Sequence, residues 1–293
     1  MVKRYKINRF VKSNMELTSK TFNSNEELKN ANLNSNLYIV GSDQVWNSQL
    51  SEGQLDPAYF LDFTDSNNKI AFSSSIGRTD VNVKELNEMK KYLDGFLKIS
   101  VREQSAKQLL EGAGVKNVTN VLDPVFLLKK EDYVKYIKPV KYEKYLLIYS
   151  FEKNPVLEKI ALEISRELNL KIIEIGIFKS KYKCDKYVQN GGIEDFLSLI
   201  YFADFIITSS FHGTAFSILL NKQFISVAPS IRRTRLENIT NLFEVSDRLI
   251  SDEDNYILKD LLNPIKYEKI NELLVQHSKK SQKFLEEAIE LIP

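Results

Sequence analysis

A short apolar run that leads into a polar loop and then a helix constrains this sequence more than any other feature. Residues 205–208 are apolar or β-branched and predict a buried strand, and from Thr214 onward the apolar residues recur at helical spacing. The loop between them contains the Ser-Ser-Phe-His-Gly sequence of residues 209–213. In α/β folds, anions and small ligands bind at such a place, because N–H groups at the next helix start point towards it.

His212 is the candidate catalytic residue of this loop. The chain has only two histidines, and a histidine at the end of a strand can donate a proton, accept one, or hydrogen-bond a phosphate. The alternative is a buried histidine that only ties the loop down, but the surrounding sequence favours the functional interpretation. The other polar or flexible positions of the loop are candidate substrate-binding residues: Ser209, Ser210, Gly213 and Thr214.

The composition excludes several classes of protein. With 43% hydrophobic and 27% charged residues, the 293-residue chain has the make-up of a globular protein. The net charge of +2 is too small to indicate nucleic-acid binding. A single cysteine, Cys184, excludes an internal disulfide and fits a reducing compartment, and together with two distant histidines it predicts no metal site. No apolar run approaches the ~20 residues of a membrane-spanning helix.

The order strand, loop, helix recurs in two halves, and the charged segment 129–143 separates them. The predicted strands of the two halves cover residues 37–40, 69–77, 98–103, 115–122, 145–150, 171–176, 205–208 and 223–228. Strands that alternate with helices predict a largely parallel sheet in each half. We therefore expect two Rossmann-like lobes, an N-terminal lobe of residues 1–140 and a C-terminal lobe of residues 141–293.

Other segments predict only single elements of secondary structure. Residues 1–36 are polar and basic, with a helical patch near their end and no convincing strand. The remaining predictions are a strand-like run at 57–63, a loop at 187–192, a short helix at 238–245 and a long helix at 267–291. His277 lies on the long helix, and we expect it to be an ordinary helix-face residue.

Further candidate ligand loops follow the strands of the first half. After the first strand, Asp43 and Gln44 offer hydrogen bonds and Trp46 offers a ring on which a sugar can stack. A capped turn with Trp46 as a core anchor is an equally good interpretation. The next strand ends in a Ser/Gly loop in which Ser75 and Gly77 are candidate binding residues.

Arginines after two other strands are candidate cations for an anionic ligand. Arg102 ends the third strand, and Arg232, Arg233 and Arg235 follow the strand at 223–228. We expect about one of these three to touch ligand, the others being a solvated basic loop. Because all these loops follow strands, we expect them to face one cleft. Two parallel halves with a returning C-terminal helix predict a glycosyltransferase-B-like α/β architecture.

Several short motifs together resemble the polysaccharide pyruvyl transferase family. They comprise residues 41–47 (Gly-Ser-Asp-Gln-Val-Trp-Asn), 99–103, 121–128, 208–217, 234–237 and 247–249. The match runs in the family's order from about Leu37 to near the end of the chain. The resemblance implies a two-lobed glycosyltransferase-B-like fold. It also implies transfer of the enolpyruvyl unit of phosphoenolpyruvate onto a sugar, which yields a pyruvate ketal and free phosphate.

The resemblance also implies roles for individual residues. His212 corresponds to the motif histidine and would bind phosphate and act as acid or base. Arg102 and one of the arginines at 232, 233 and 235 would hold the anionic donor, whereas Asp43, Gln44 and Trp46 would hold the sugar or line the cleft. No cofactor is implied, since phosphoenolpyruvate is a donor substrate. The implied partners are phosphoenolpyruvate and a saccharide of a surface polysaccharide or its precursor, which includes lipid-linked forms. No nucleic-acid partner is expected.

Two departures from the family pattern keep alternatives open. The family often carries an arginine one or two residues before the histidine, where this chain has Phe211 and Ser210. We also expect the N-terminal lobe to lack the family's first strand and its Asn-Tyr-Gly-type loop. The alternatives are a nucleotide-sugar glycosyltransferase of the same architecture and a truncated, non-catalytic saccharide-binding homologue. We expect a cytoplasmic location. Peripheral attachment to the inner face of the membrane and formation of an oligomer are left open.

Overall fold

The computed structural model describes residues 2–176, 184–228, 233–251 and 255–292, and it contains two parallel sheets. The strands are β1 (Tyr38–Val40), β2 (Lys69–Ser74), β3 (Lys98–Val101), β4 (Val118–Asn120), β5 (Tyr145–Ser150), β6 (Lys171–Gly176), β7 (Lys186–Val188), β8 (Phe205–Thr208), β9 (Phe224–Ala228) and β10 (Leu249–Ser251). The helices are α1 (Val2–Asn14), α2 (Asn25–Asn30), α3 (Val83–Leu93), α4 (Gln104–Gly112), α5 (Lys130–Val134), α6 (Pro155–Glu167), α7 (Ile193–Phe202), α8 (Phe211–Leu219), α9 (Thr234–Leu242), α10 (Leu258–Leu261) and α11 (Tyr267–Glu290).

The first sheet has four strands in the order β1-β2-β3-β4, each parallel to its neighbour. Helices α3 and α4 cover it with buried apolar side chains, among them Met89, Leu93 and Leu110. These residues recur at helical spacing, so burial of one helix face explains why the segments are helical. The sheet is thereby held rigidly enough to fix the loops that follow its strands.

The second sheet has six parallel strands in the order β10-β9-β8-β5-β6-β7. The chain starts at β5, builds outward through β6 and β7, and then crosses back so that β8 pairs with the other side of β5. The order of strands therefore reverses between β5 and β8. In open α/β sheets, the loops on the two sides of such a switch point run in opposite directions. A crevice therefore forms outside the carboxyl ends of the two strands.

Helix α1 lies against α7, a contact that the polar sequence of residues 1–36 did not predict. Lys6 Nζ lies 2.8 Å from Asp195 Oδ2, and Arg9 Nη2 lies 3.8 Å from Glu194 Oε2. The Phe10 ring packs against Tyr136 at a centroid distance of 5.2 Å. The helix has no fully buried residue. Ion pairs, one aromatic contact and the partly buried side chains of Ile7 and Val11 hold it.

Several local predictions were wrong. Residues 57–60 form a 3₁₀ helix instead of a strand, because Pro57 suits the first helical position and the Asp56 carboxylate accepts a hydrogen bond from the Ala58 N–H. The predicted loop at 187–192 contains strand β7, which lies at the sheet edge. Helix α9 begins four residues earlier than expected, and β10 had no predicted counterpart.

Grouping of the chain by its contacts gives two compact units. One contains residues 18–127 and 275–293, with the four-stranded sheet, and the other contains residues 1–17 and 128–274, with the six-stranded sheet. The N-terminal segment thus groups with the six-stranded sheet, and the C-terminal segment groups with the four-stranded sheet. Helix α11 contributes to both units. Among the described residues, no helix combines the length and apolar character that crossing a bilayer requires.

Substitution of Gly41 tests how closely the backbone packs in the first sheet. Its φ is +143°, and a Cβ atom there would lie 1.8 Å from the carbonyl oxygen of Phe72. We expect Gly41→Ala to lower the free energy of unfolding by at least about 3 kcal/mol, since both the backbone angle and the space are incompatible with a side chain. Urea unfolding measures this loss.

Gly53→Ala is the matched control for this substitution. Gly53 also has a positive φ, +82°, but no atom lies within 4 Å of the position of a Cβ. We therefore expect the control to lose only about 1 kcal/mol, the cost of the left-handed backbone. Equal losses in the two variants would contradict the role of the Phe72 contact.

Asp195 gives the contact between α1 and α7 a defined pH dependence. Burial alone would raise the pKa of Asp195, but hydrogen bonds from Lys6 and from the Gly192 N–H outweigh it, so that its pKa lies below the ordinary value. A lowered pKa means stabilisation that is present above the ordinary carboxyl pKa and lost as the pH falls through the lowered one.

Asp195→Asn should therefore destabilise the protein at neutral pH, by about 1 kcal/mol or less because the pair is partly exposed. The difference from wild type should vanish in acid, where the native carboxyl also takes up a proton. Unfolding by urea at a series of pH values measures it, with Asp65→Asn at an exposed position as the control. A difference that stays constant down to acidic pH would contradict the ion-pair account.

Candidate functional site

The carboxyl edge of the six-stranded sheet places His212 at the switch point between β5 and β8. Helix α8 begins at Phe211, earlier than the expected start at Thr214, so that His212 lies in its first turn and is partly exposed. The early start follows from Ser210, whose hydroxyl caps the helix by accepting a hydrogen bond from the Gly213 N–H at 3.4 Å. The result is a histidine beside the positive end of a helix, where an anion is favoured.

Ser209 joins the two strands that flank the switch point. Its hydroxyl lies 2.8 Å from the hydroxyl of Ser150, the last residue of β5. Thr208 strengthens the same junction, because its hydroxyl donates to the Tyr149 carbonyl at 2.6 Å and accepts from the Ser210 N–H at 3.0 Å. The loop that carries His212 is thus fixed by hydrogen bonds to both strands.

Gly213 and Thr214 lie inside the protein. A Cβ atom on Gly213 would come within 2.2 Å of Thr208 Oγ1, so the glycine permits α8 to approach β8 closely. Thr214 is fully buried, and its hydroxyl lies 2.6 Å from that of Ser226 on β9. Both residues position the helix, and Ser210 is occupied as its cap. Of the residues predicted in this loop, His212 and Ser209 are the two that are partly exposed.

The arginines predicted after β9 lie around the start of α9, which packs against α8. Arg233 Nε lies 2.6 Å from the Glu237 carboxylate one turn along the helix. Arg235 lies in the first turn and is half-buried. Arg232 falls outside the described residues. The basic side chains at 233 and 235 therefore belong to the same unit as His212, and both follow the strand next to β8.

At the carboxyl edge of the four-stranded sheet, Arg102 is buried in a cluster of carboxylates. Its guanidinium donates to Asp123 Oδ2 at 2.7 Å and lies 3.4 Å from Glu103 Oε1 and 3.5 Å from Asp43 Oδ1. Burial alone would lower the pKa of Arg102, but the carboxylates of Glu103 and Asp123 raise it above its ordinary value. The arginine is therefore charged and already surrounded by anionic partners, which was not expected of a donor-binding cation.

The loops after β1 and β2 are tied to this cluster. The Ser75 hydroxyl donates to Glu103 Oε1 at 2.5 Å, and the Ser75 N–H donates to the Asp43 carbonyl at 3.0 Å. Ser42 donates to Asp123 Oδ2 at 3.1 Å. Asp43 itself has a φ of +64° and a side chain that is 63% exposed. It is thus a largely exposed carboxylate with one oxygen, Oδ1, beside Arg102.

Trp46 is structural, which corrects the sequence-based list of binding residues. The Trp46 ring is fully buried, stacks on Phe60 at 5.4 Å and donates its indole N–H to the Tyr59 carbonyl. A core anchor is therefore the right one of its two interpretations, and no sugar can stack on it here. Gln44 accepts a hydrogen bond from Asn47 at 2.9 Å and packs where a Cβ on Gly77 would lie.

Sequence reasoning missed Glu103 and Asp123 as members of a cluster. Both are 2–3% exposed, and Glu103 Oε2 accepts no hydrogen bond from the described residues. A signal was present, because Glu103 follows Arg102 directly and Asp123 follows β4. Carboxyl ends of parallel strands meet at one edge, so these two carboxylates had to lie near Arg102.

A family model for polysaccharide pyruvyl transferase matches residues 2–231. The chain belongs to the polysaccharide pyruvyl transferase family. The assignment made from the sequence motifs is thereby confirmed, and the match includes β8, α8 and His212. The family is one of transferases. No curated protein matches the chain.

Solved structures support the fold alone. The crystal structure of accessory secretory protein 1, 2 and 3 in Streptococcus pneumoniae matches with a TM-score of 0.50 and 13% identity, over 92% of this pyruvyl transferase homologue and 56% of that chain. The chain thus spans little more than half the length of that relative. A UDP-N-acetylglucosamine 2-epimerase from Rickettsia bellii matches with a TM-score of 0.46 and 15% identity, over 92% and 77% of the two chains. The predicted glycosyltransferase-B-like class, with two parallel α/β sheets, is confirmed.

Arg102 provides a test of the buried cluster in this family member. Removing its charge with Arg102→Met leaves the buried carboxylates of Glu103 and Asp123 without compensation. We expect a loss of about 3–5 kcal/mol in the free energy of unfolding, as for other broken buried ion pairs. Urea unfolding measures it, and Arg166→Met at an exposed position should stay within about 0.5 kcal/mol of wild type. A loss below about 1 kcal/mol for Arg102→Met would contradict the structural role.

Proposed function

We propose that the protein transfers the pyruvyl group of phosphoenolpyruvate onto a saccharide of a surface polysaccharide or its precursor. The observation that carries the proposal is the place of His212, partly exposed in the first turn of α8 and at the switch point between β5 and β8. The same location in α/β folds binds phosphorylated ligands. Family membership supports the reaction type.

The proposed reaction joins C2 of the pyruvyl unit to two sugar hydroxyls. Two C–O bonds form at C2 as the bond from C2 to the phosphate oxygen and the C2–C3 π bond break. C3 gains a proton and becomes a methyl group, and the two hydroxyl protons balance this proton and that of the released phosphate. A residue that donates and accepts protons is required at the reacting atoms, and His212 is the candidate for this role.

The anionic donor is matched by the positive groups around α8 and α9. The start of α8 offers the positive end of a helix dipole, and Arg233 and Arg235 stand at the start of the adjacent helix. We assign the phosphate and carboxylate of phosphoenolpyruvate to this edge. The Ser209 hydroxyl, on the junction of the two strands, is a further donor for the same ligand.

We assign Asp43, at the carboxyl edge of the four-stranded sheet, a role in binding saccharide. The exposed Asp43 carboxylate can accept hydrogen bonds from sugar hydroxyls, and Arg102 holds it in place from below. Arg102 then acts through Asp43 rather than on the donor. The single cysteine fits a cytoplasmic location for this reaction.

The first test is phosphate release from phosphoenolpyruvate with a panel of nucleotide- and lipid-linked sugars as acceptors. We expect release that depends on the acceptor, and a loss of at least about 100-fold in kcat for His212→Ala, the usual effect of removing a general acid or base. His277→Ala is the matched control, because it removes the chain's other histidine from helix α11.

The outcomes separate the candidate functions. Equal loss in both histidine variants, or full activity of His212→Ala, would contradict the role of His212. A folded protein that neither binds phosphoenolpyruvate nor releases phosphate, but binds a nucleotide sugar, would indicate a glycosyltransferase. Binding of saccharide alone, without turnover, would indicate a non-catalytic homologue.

A further inference from the structure

Helix α1 and the residues that follow it concentrate the positive charge of the chain. The first 17 residues contain five basic side chains and one acidic one, Glu16. The whole chain has 41 basic and 39 acidic residues, so everything after residue 17 carries a net charge of −2. A protein whose excess charge lies in one helix presents that helix to an anionic partner.

One face of α1 is used within the protein. Lys6 and Arg9 pair with Asp195 and Glu194 of α7, at 2.8 and 3.8 Å. These contacts neutralise two of the five cations of the helix. The partly buried side of the helix carries Ile7, Phe10 and Val11, so the paired Lys6 and Arg9 belong to its exposed side.

The exposed side of α1 carries further cations, mixed with apolar groups. Arg4 and Lys12 are exposed and form no ion pair with any described residue. Tyr5, one helical turn before Arg9, is 66% exposed, and after the helix Met15 and Leu17 are 61% and 59% exposed. We call these five residues, Arg4, Tyr5, Lys12, Met15 and Leu17, the α1 surface.

We propose that the α1 surface binds an anionic phospholipid membrane. Cations alone would fit nucleic acid as well, but exposed aromatic and aliphatic side chains next to them fit the boundary between headgroups and acyl chains. A helix of this kind lies in the plane of the membrane surface and does not cross it. Each basic side chain near an anionic leaflet strengthens binding roughly fivefold.

A neighbouring cavity extends the cationic surface. It lies beside α1 in the same unit and has a volume of about 460 Å³. Its charged lining residues are four cations, Lys6, Arg9, Lys138 and Lys141, and two carboxylates, Glu194 and Asp195. Lys141 is exposed and forms no ion pair with any described residue. A headgroup phosphate fits a pocket of this size and charge. The inference rests on the charge and exposure of α1 and does not depend on the proposed reaction.

Co-sedimentation of the full chain with vesicles tests the proposal. One set of vesicles contains equal parts of phosphatidylglycerol and phosphatidylcholine, and the other contains phosphatidylcholine alone. We expect binding to the first set, a steep fall of this binding with added salt, and no measurable binding to the second set. Arg4→Gln combined with Lys12→Gln should weaken binding by roughly 25-fold.

Lys90→Gln combined with Lys91→Gln is the matched control. It removes the same charge from an exposed position on α3, in the other unit, and should bind vesicles as the wild type does. Equal binding to both sets of vesicles, no binding to either, or equal weakening in the two double variants would overturn the proposal.

Tyr5→Ser distinguishes a membrane from a nucleic acid. We expect it to weaken vesicle binding several-fold, since it removes an apolar group that enters the interface, without changing thermal unfolding. A double-stranded oligonucleotide at the same ionic strength should bind more weakly than the vesicles do. Tighter binding of the oligonucleotide, with no effect of Tyr5→Ser on either partner, would assign the surface to nucleic acid.

Discussion

The parallel pairing of the strands is the constraint on which the rest of the structure depends. In each sheet of the described chain, every strand runs parallel to its neighbours, so the loops that follow the strands emerge at one edge. In the six-stranded sheet, the return of the chain from β7 to β8 adds a switch point. His212, Ser209 and Ser150 lie together because of this strand order and not because of their spacing in sequence.

The carboxyl edges of the two sheets differ in what they leave accessible. At the first edge, Arg102 lies against three carboxylates and Ser75 joins them, and of these carboxylates Asp43 is the exposed one. At the second edge, capping of α8 by Ser210 leaves His212 partly exposed in the first turn. The first edge is thus largely closed by its own ion pairs, whereas the second leaves a helix terminus open to an anion.

The sequence predicted those elements whose apolar side chains reveal their burial. Strands β5, β8 and β9 are nearly continuous apolar runs and were located to within a few residues. Helix α1 and strands β7 and β10 were not, because ion pairs hold α1 and the two strands are short edge segments.

For the site, the sequence located His212 and the loops, but not which side chains are buried or paired. Trp46 had two equal interpretations because burial is a property of the packed sheet. The cluster around Arg102 was missed for the same reason, since Glu103 and Asp123 meet it only through tertiary structure. Capping by Ser210 moved the start of α8 to Phe211, a detail that the apolar pattern alone does not contain.

The central claim is that the edge carrying His212 transfers a pyruvyl group as a ketal, and the mass of the product formed in deuterated water tests it most directly. The account predicts a saccharide that has gained a pyruvate ketal whose methyl group carries deuterium from the solvent, because C3 must take up a proton. A product that has gained a sugar, or an enolpyruvyl ether without deuterium, would contradict the account.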